Sequence, residues 1–377
     1  MRYRICPVCG GKRTHALNKI NMNVPPDYHL PDSYDVVACE DCGFVYADTS
    51  ASLEDYDWYY THCNFYGDDS KDDNSRRYET VEEFLHRYVD SESKMLELGA
   101  GNGRFLLDLQ KHGYVNIVGT DMSDESVNRL LRAGIAAHTW NIYDSVSEEE
   151  AGKYDCIFLF GVTEHLLMPD EGIRNVAKML KKAGIFMVSV PDCSQLEQDE
   201  NYVPHHFNLE HINYFSPISL DNLMARHGMT RLDQKLLGGY YLIQVYRNDG
   251  RGQASLCRDD ITEQAVCHYF VRSKNREKAA SRLIDEFVGN QKAVVIWGTG
   301  SYVMHLMAAT DLPKCNIIGF VDNNKLKQGN AMYGYRIYSP AFLQDKRCTV
   351  LICSMKNSKD IKEQLEAMQT ENDVVIL

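Results

Sequence analysis

The sequence predicts an α/β protein: a parallel sheet with helices on both faces, a small cysteine-built module before it and a second α/β unit after it. Three observations lead there. Strand-length apolar runs alternate with helical periodicity from residue 94 to about residue 190. The same alternation resumes near residue 292 and runs to the last residue. Two C-x-x-C pairs stand before residue 50. Strand–helix alternation of this kind builds parallel sheets, because each return to the same sheet edge needs a crossover helix.

The elements follow in order. Cys6-Pro-Val-Cys9 and Cys39-Glu-Asp-Cys42 are each followed by glycine, at Gly10 and Gly43. A C-x-x-C turn sets two thiolates on one side of an ion, and glycine lets backbone amides face the sulfurs, so the four cysteines are predicted ligands of a closed, structural Zn²⁺ in a zinc-ribbon module. The long segment between the pairs is expected to hold a β-hairpin. Residues 51 to 90 are acidic and aromatic, and Thr80 to Val89 has a helical apolar face at Val81, Phe84, Leu85 and Tyr88. Strands are then expected at 94–98, 116–120, 154–160 and 185–190, with helices at 103–112, 124–133 and 172–180. The last of these helices is expected to be capped by Lys181, Lys182 and Gly184. A helix at 220–227 precedes a hairpin formed by 229–237 and 240–247 around Gly238-Gly239. Past a linker at 248–252, a long helix at 261–287 leads to strands at 292–297, 315–321, 348–353 and 373–377 with helices at 301–310 and 359–368.

Composition narrows the function. The chain of 377 residues is long enough for two or three domains, here 1–50, 51–250 and 251–377. Its 40 Lys and Arg against 53 Asp and Glu leave a net charge of −13, which argues against nucleic-acid binding. Thirteen acids against four bases fall between residues 48 and 92, so that stretch alone carries −9. No apolar run approaches the ~20 residues that span a bilayer, and the first residues lack a signal peptide's hydrophobic region. A cytoplasmic location with reduced cysteines is expected, and no membrane partner.

The central motif is Glu97-Leu98-Gly99-Ala100-Gly101-Asn102-Gly103, at the end of a strand and the start of a helix. Glycines allow a sharp turn and close approach to a bound small molecule. Glu97 sets a carboxylate where a pyrophosphate would be repelled and a cationic group welcomed. Val118-Gly119-Thr120-Asp121 ends the next strand in an acid placed for ribose hydroxyls. A later strand, Tyr154-Asp155-Cys156-Ile157-Phe158, runs through Phe160 into Thr163-Glu164-His165-Leu166.

On these motifs, together with Lys181-Lys182-Ala-Gly-Ile-Phe-Met-Val-Ser-Val-Pro191 and the closing hairpin, residues 90 to 250 resemble the class I S-adenosylmethionine-dependent methyltransferases, whose core is Rossmann-like. The resemblance implies that Glu97, Gly99, Gly101 and Gly103 surround the methionine part of S-adenosyl-L-methionine, that Asp121 binds the ribose, and that Met122 flanks the adenine. Asn141 stands where such proteins often carry an acid at the adenine amino group. Phe160 lies at the mouth of the same site. The 48–92 stretch is expected to form a lid over the cofactor, its negative charge suited to a sulfonium, with Tyr59, Tyr60 and Tyr66 as the contacting rings.

A second cluster, Pro204-His205-His206-Phe207-Asn208-Leu209-Glu210-His211-Ile-Asn-Tyr214-Phe215-Ser216, falls at the C-terminal ends of the strands, where open α/β sheets bind ligands. His211 is the candidate general base, with Glu210 or Glu164 to orient it and His165 beside the methyl group. The four-cysteine module, the core with its E-H-x-x-Y-F-S segment and the second α/β unit together resemble the C-methyltransferases of nucleotide-linked keto-deoxysugars. That resemblance implies a base removing a proton beside a ketone, then attack of the enolate carbon on the methyl group. It maps the base pair onto Glu210 and His211, and it implies a Rossmann-like C-terminal domain. Asn208 replaces a tyrosine common in that family. The competing readings are O- or N-methylation of another small metabolite in polysaccharide or natural-product biosynthesis, an NAD-dependent oxidoreductase and a binding module without activity. In the C-terminal unit, Trp297-Gly298-Thr299-Gly300-Ser301 and Val321-Asp322 leave three options: a dinucleotide site, a helix N-terminus for a substrate diphosphate, or a structural role.

Overall fold

The protein is described by a computed structural model covering residues 3–63, 75–197, 206–250, 256–354 and 357–377. Along the chain, β1 (Thr14–Asn21), β2 (Ser33–Cys39) and β3 (Val45–Asp48) form an antiparallel meander, followed by α1 (Leu53–His62) and α2 (Ser75–Tyr88). The core then runs β4 (Met95–Leu98), α3 (Arg104–Lys111), β5 (Ile117–Asp121), α4 (Asp124–Arg132), β6 (Ala136–Thr139), β7 (Tyr154–Phe160), α5 (Pro169–Met179) and β8 (Leu180–Pro191). It closes with β9 (Asn213–Tyr214), α6 (Pro217–Arg226), β10 (Met229–Leu237) and β11 (Tyr241–Asn248). The long α7 (Thr262–Asn290) leads to β12 (Val294–Trp297), α8 (Ser301–Ala309), β13 (Ile317–Val321), β14 (Ala331–Met332), β15 (Tyr335–Tyr338), β16 (Thr349–Ile352), α9 (Ser358–Ala367) and β17 (Asp373–Ile376).

The core sheet has seven strands in the order β10-β11-β8-β7-β4-β5-β6. Strands β4 to β8 are parallel, and β11 runs antiparallel to β8. This is a Rossmann-like core with a mixed sheet. Its strand order reverses between β4 and β7, which opens a crevice at their carboxyl ends. The Cys156–Phe160 run is buried along its whole length, as a central parallel strand requires. Helix starts are fixed locally. Ser52 and Asp55 form a capping box on α1, Ser216 and Ser219 one on α6, and the Ser123 hydroxyl caps α4.

Two expectations are corrected here. α5 does not end in a Lys181-Lys182-Gly184 cap. β8 begins at Leu180, where Tyr154 pairs with Leu180 and Cys156 already with Ile185, and residues between bulge out with the left-handed turn at Ala183 (φ 62°) rather than at Gly184. The cysteine-bearing segment is also not a free-standing unit. Its sheet has the order β1-β2-β3-β9, so a strand from the middle of the chain completes it. Phe44 and Tyr46 pack into one core with Leu159 and Phe186 of the seven-stranded sheet. A six-stranded, mainly parallel sheet of order β14-β15-β13-β12-β16-β17 follows α7. A further buried cluster runs from Tyr34 and Tyr59 through Phe207 and Tyr269 to Ile296, joining N-terminal, central and C-terminal segments. Among the described residues no helix is long and apolar enough to cross a membrane.

Candidate active site

A cleft of about 510 Å³ lies at the carboxyl ends of β4, β5 and β7, beneath α1 and α2, within the size range of small-molecule sites. Its floor is the glycine loop. Gly99, Gly101 and Gly103 all hold positive φ (71°, 54° and 73°). A Cβ at Gly99 would come 2.7 Å from Val162 Cγ2, while one at Gly101 would meet nothing within 4 Å. Gly103 differs from the expectation for it. It is the N-cap of α3, packs where a Cβ would strike Leu130 and does not line the cleft. Asp121 accepts N–H bonds from Gly101 (2.8 Å) and Ser123 (2.9 Å), one on each oxygen, which locks the loop to the end of β5. Met122, Asn141 and Phe160 line the walls.

Glu97 is 5% exposed, and its Oε2 has no hydrogen-bond partner. Burial raises its carboxyl pKa to about 8, opposed by the Arg77 guanidinium and reinforced by Asp121. Arg77, on α2, lines the same cleft, and its Nε is buried without a partner. A buried carboxyl and a guanidinium in one cleft, each with an unused polar atom, form a cradle for a group that carries both charges. The sequence reading missed Arg77. Its one signal was an Arg76-Arg77 pair inside an otherwise acidic stretch.

The aromatic residues divide. Tyr60 lines the cleft and meets His165 Nδ1 at 3.1 Å through its hydroxyl. Tyr59 does not line the cleft. Its hydroxyl donates to Glu210 Oε1 (2.6 Å), and both residues face a separate 200 Å³ cavity shared with Thr299, Ser301 and Lys327. Tyr66 lies outside the described residues. Tyr56, Asp57 and Tyr78 also face the cleft from α1 and α2.

His165 and His211 meet edge to face, their ring centroids 4.8 Å apart. Glu164, His165 and His211 bring donor atoms within 4.8 Å of one another. The Glu164 carboxyl is 3% exposed with Oε2 unpartnered, and burial lifts its pKa to about 8. His211 Nδ1 is buried and unpartnered. Burial, helped by His165, lowers that ring's pKa to about 3. Burial lowers His165 to about 4. The acid beside His211 is therefore Glu164. Glu210 is turned to Tyr59, which corrects the expectation that Glu210 and His211 act as a pair. Asn208 accepts the Glu210 and His211 amides on Oδ1 (2.8 and 2.7 Å), an Asx-type turn that shapes the approach to His211.

The four N-terminal cysteines are free thiols with sulfurs within 4.8 Å of one another. Cys6–Cys42 and Cys9–Cys39 sulfurs are 3.6 and 3.5 Å apart, close to the ~3.8 Å edge of a tetrahedron with ~2.3 Å Zn–S bonds. Gly10 and Gly43 hold φ of 76° and 77° in the two knuckles. The set fits a tetrahedral metal. In the C-terminal unit, Asp322 Oδ2 accepts from the Thr299 amide (3.1 Å) and hydroxyl (2.5 Å), so a carboxylate already occupies the amide that a dinucleotide phosphate would use.

Residues 74–234 match the sequence model of the family described as "Methyltransferase domain", and residues 290–376 match one described as "C2185-like, N-terminal". Two curated relatives, the EEF1A lysine methyltransferase 2 proteins of Homo sapiens and Mus musculus, are each 25% identical over 114 residues. The match takes in 27% of this chain and 48% and 47% of theirs, so the chain spans about half the length of these relatives. Among solved structures, the PH0226 protein of Pyrococcus horikoshii aligns with TM-score 0.42 at 19% identity, over 50% of this chain and 98% of that one. The 1,6-didemethyltoxoflavin-N1-methyltransferase of Burkholderia thailandensis aligns with TM-score 0.42 at 16% identity, over 55% and 96%. The domain assignment rests on the family model: the chain contains a methyltransferase domain.

Proposed function

We propose that this chain is an S-adenosylmethionine-dependent methyltransferase that methylates carbon in a nucleotide-linked keto-deoxysugar. The observation that carries the reading is the unpartnered His211 Nδ1, flanked by Glu164 and by His165 of the cleft wall. When bound, S-adenosylmethionine supplies a methyl group already activated on sulfur, so the protein's task is positioning and proton removal. Glu97 would hold the ammonium end and Arg77 the carboxylate. Asp121 keeps lone pairs free for ribose hydroxyls after accepting its two amides, and Met122 and Asn141 would border the adenine. The four cysteines would hold a structural Zn²⁺ with no open position.

A carbon nucleophile must be made by removing a proton, unlike an amine. His211 Nδ1 accepts the proton from the carbon beside the ketone, and the C–H electron pair passes into the enolate. A ring held near pKa 3 is a weak base alone. Ionised Glu164 beside it stabilises the imidazolium, so proton removal improves as Glu164 ionises through about pH 8. The test is mass analysis after incubation with cofactor and a panel of nucleotide-linked keto-deoxysugars, wild type against His211→Ala. The expected product gains one CH₂ and retains the original hydroxyls, and the variant fails to exchange the α-hydrogen with D₂O. Full-rate transfer by His211→Ala, or a methyl ether as product, overturns the reading. The 200 Å³ cavity beside Glu210 and the start of α8 offers room for part of the substrate next to a second, Rossmann-like domain.

A further inference from the structure

We propose that Arg4 is a positioning residue: it ties the turn that carries His165 to the segment that leads from His211 into β9 and thereby sets the spacing of the two imidazoles. This inference rests on the reading of those rings as the reaction centre.

The geometry is specific. Arg4 Nη1 donates to the carbonyls of Ala47 (2.7 Å) and Ile212 (3.2 Å), and Nη2 donates to Leu167 O (2.8 Å) and Asn213 Oδ1 (2.9 Å). Ile212 follows His211, and Leu167 lies two residues past His165. One guanidinium thus bridges both segments. Asn213 completes the bridge, since its Nδ2 donates to Leu166 O (2.6 Å), Thr163 O (3.2 Å) and Glu164 O (3.4 Å). The Ile212 amide also donates to Glu164 O (3.0 Å), and the Ala47 amide to Ile212 O (2.9 Å).

Arg4 is itself held. The Asp48 carboxylate accepts the Tyr3 and Arg4 amides (3.0 and 2.8 Å), and the Tyr46 ring lies 5.4 Å from the guanidinium carbon. Only a planar fork with several fixed donors reaches four acceptors on three segments. A lysine ammonium is a single point that can approach one or two of them. Without Arg4, the Asn213 and Ile212 bonds still hold 163–166 near β9, but Leu167 O and Ile212 O lose their common donor and the junction loosens. The His165–His211 spacing is then free to vary, and a misplacement of about 1 Å costs on the order of 10²-fold in rate.

The experiment compares wild type with Arg4→Lys and Arg4→Gln, using ¹⁵N-histidine NMR with S-adenosylhomocysteine bound. Expected are altered side-chain shifts and a raised apparent pKa for His165 and His211, with the S-adenosylhomocysteine affinity held within about twofold, because Leu167 is the one hydrogen-bond partner of Arg4 among the cleft-lining residues and Arg4 holds it by its backbone carbonyl, not through Glu97 or the glycine loop. In the activity assay kcat falls on the order of 10²-fold with KM little changed, and Arg4→Lys recovers part of it. Unchanged histidine shifts in a folded variant, even one with a lowered melting temperature, overturn the proposal. Should Arg4→Gln not fold, Arg4→Lys carries the same readout. If wild type methylates no keto-sugar while the histidine signals still move, the reaction assigned above fails and the positioning geometry stands.

Discussion

Glu97 offers the most direct quantitative test, because its protonation and its proposed ligand oppose each other. Without ligand the carboxyl has a pKa of about 8 and is mostly neutral at pH 7. An ammonium pairs only with the ionised form. At pH 6.5 only about 3% of the protein is ready to bind, and at pH 7.5 about 24%. The ligand's own amino group begins to lose its proton near pH 8, which trims the gain. Affinity for S-adenosylhomocysteine is expected to rise about sixfold between those pH values, to peak near pH 8 and to fall above it. Binding at pH 6.5 is expected to release about 0.9 proton per ligand. Titration calorimetry in two buffers of different ionisation enthalpy reads the proton count directly. In Glu97→Gln the proton release disappears. Affinity at pH 8 drops about 10- to 150-fold, the worth of a charged hydrogen bond at ~1.5–3 kcal/mol, and the drop is smaller at pH 6.5, where wild type must first ionise. Binding by wild type without proton release would refute the pairing of Glu97 with the amino group.

Four further outcomes are expected. Arg77→Met weakens S-adenosylhomocysteine about tenfold or more, and it raises the Glu97 pKa further, since Arg77 is the group opposing that rise; the calorimetric pH midpoint should move up. Gly99→Ala, with φ of 71° and a Cβ 2.7 Å from Val162, destabilises the fold by about 1–3 kcal/mol in chemical denaturation; exposed Gly113, with φ of 93° and nothing within 4 Å of a Cβ, carries the backbone strain without the clash, so Gly113→Ala should cost less and is the comparison. Metal analysis should find one Zn²⁺ per chain, absent in Cys39→Ser, with a lower melting temperature for the variant. The pH dependence of stability has a definite sign. Glu97 and Glu164 have folded pKa values near 8, above the ordinary 4.5, so their contribution is full at low pH and is lost as pH rises towards 8; His165 and His211, near 4 and 3, lose theirs as pH falls below 6.5. Ligand-free protein should therefore melt lower at pH 8 than at pH 6.5, and Glu164→Gln should flatten that limb.

The seven-stranded core was readable because each of its signals is local. Periodicity places β7, turn chemistry places the hairpin, and glycine spacing places the loop. Element ends fared less well where tertiary pairing overrode a local cue, as at Lys181–Gly184, whose basic residues and glycine imitate a helix cap while the backbone is drawn out along β7. α1 escaped notice because its aromatic residues serve two cavities and leave no single apolar face. Sequence adjacency also misled. Glu210 and His211 are neighbours in the chain, but the turn built on Asn208 sends their side chains to different sites, so Glu210 meets Tyr59 and His211 meets Glu164. Arg4 had no sequence signal at all, since its partners are mostly carbonyl oxygens that any residue supplies.

The acidic stretch shows why a count of charge is a weak argument about a site. Its net −9 suggested a negative lid facing a sulfonium. Of its thirteen acids, Asp57 alone lines the cleft among the described residues, and Arg77 from the same stretch lines it with opposite sign. Charges that face solvent are screened beyond ~8–10 Å at ordinary salt and add little inside a cleft. Of the acids that line the cleft, Glu125 is exposed, whereas Glu97 and Asp121 stand at strand ends, where burial leaves the Coulomb interaction strong and makes the ionised state costly. Recognition of a cationic ligand thus follows from two placed carboxyls. Neutralising the exposed acids Glu54, Glu79 and Glu83 should leave S-adenosylhomocysteine affinity at 0.15 M salt within about twofold of wild type, by the same screening.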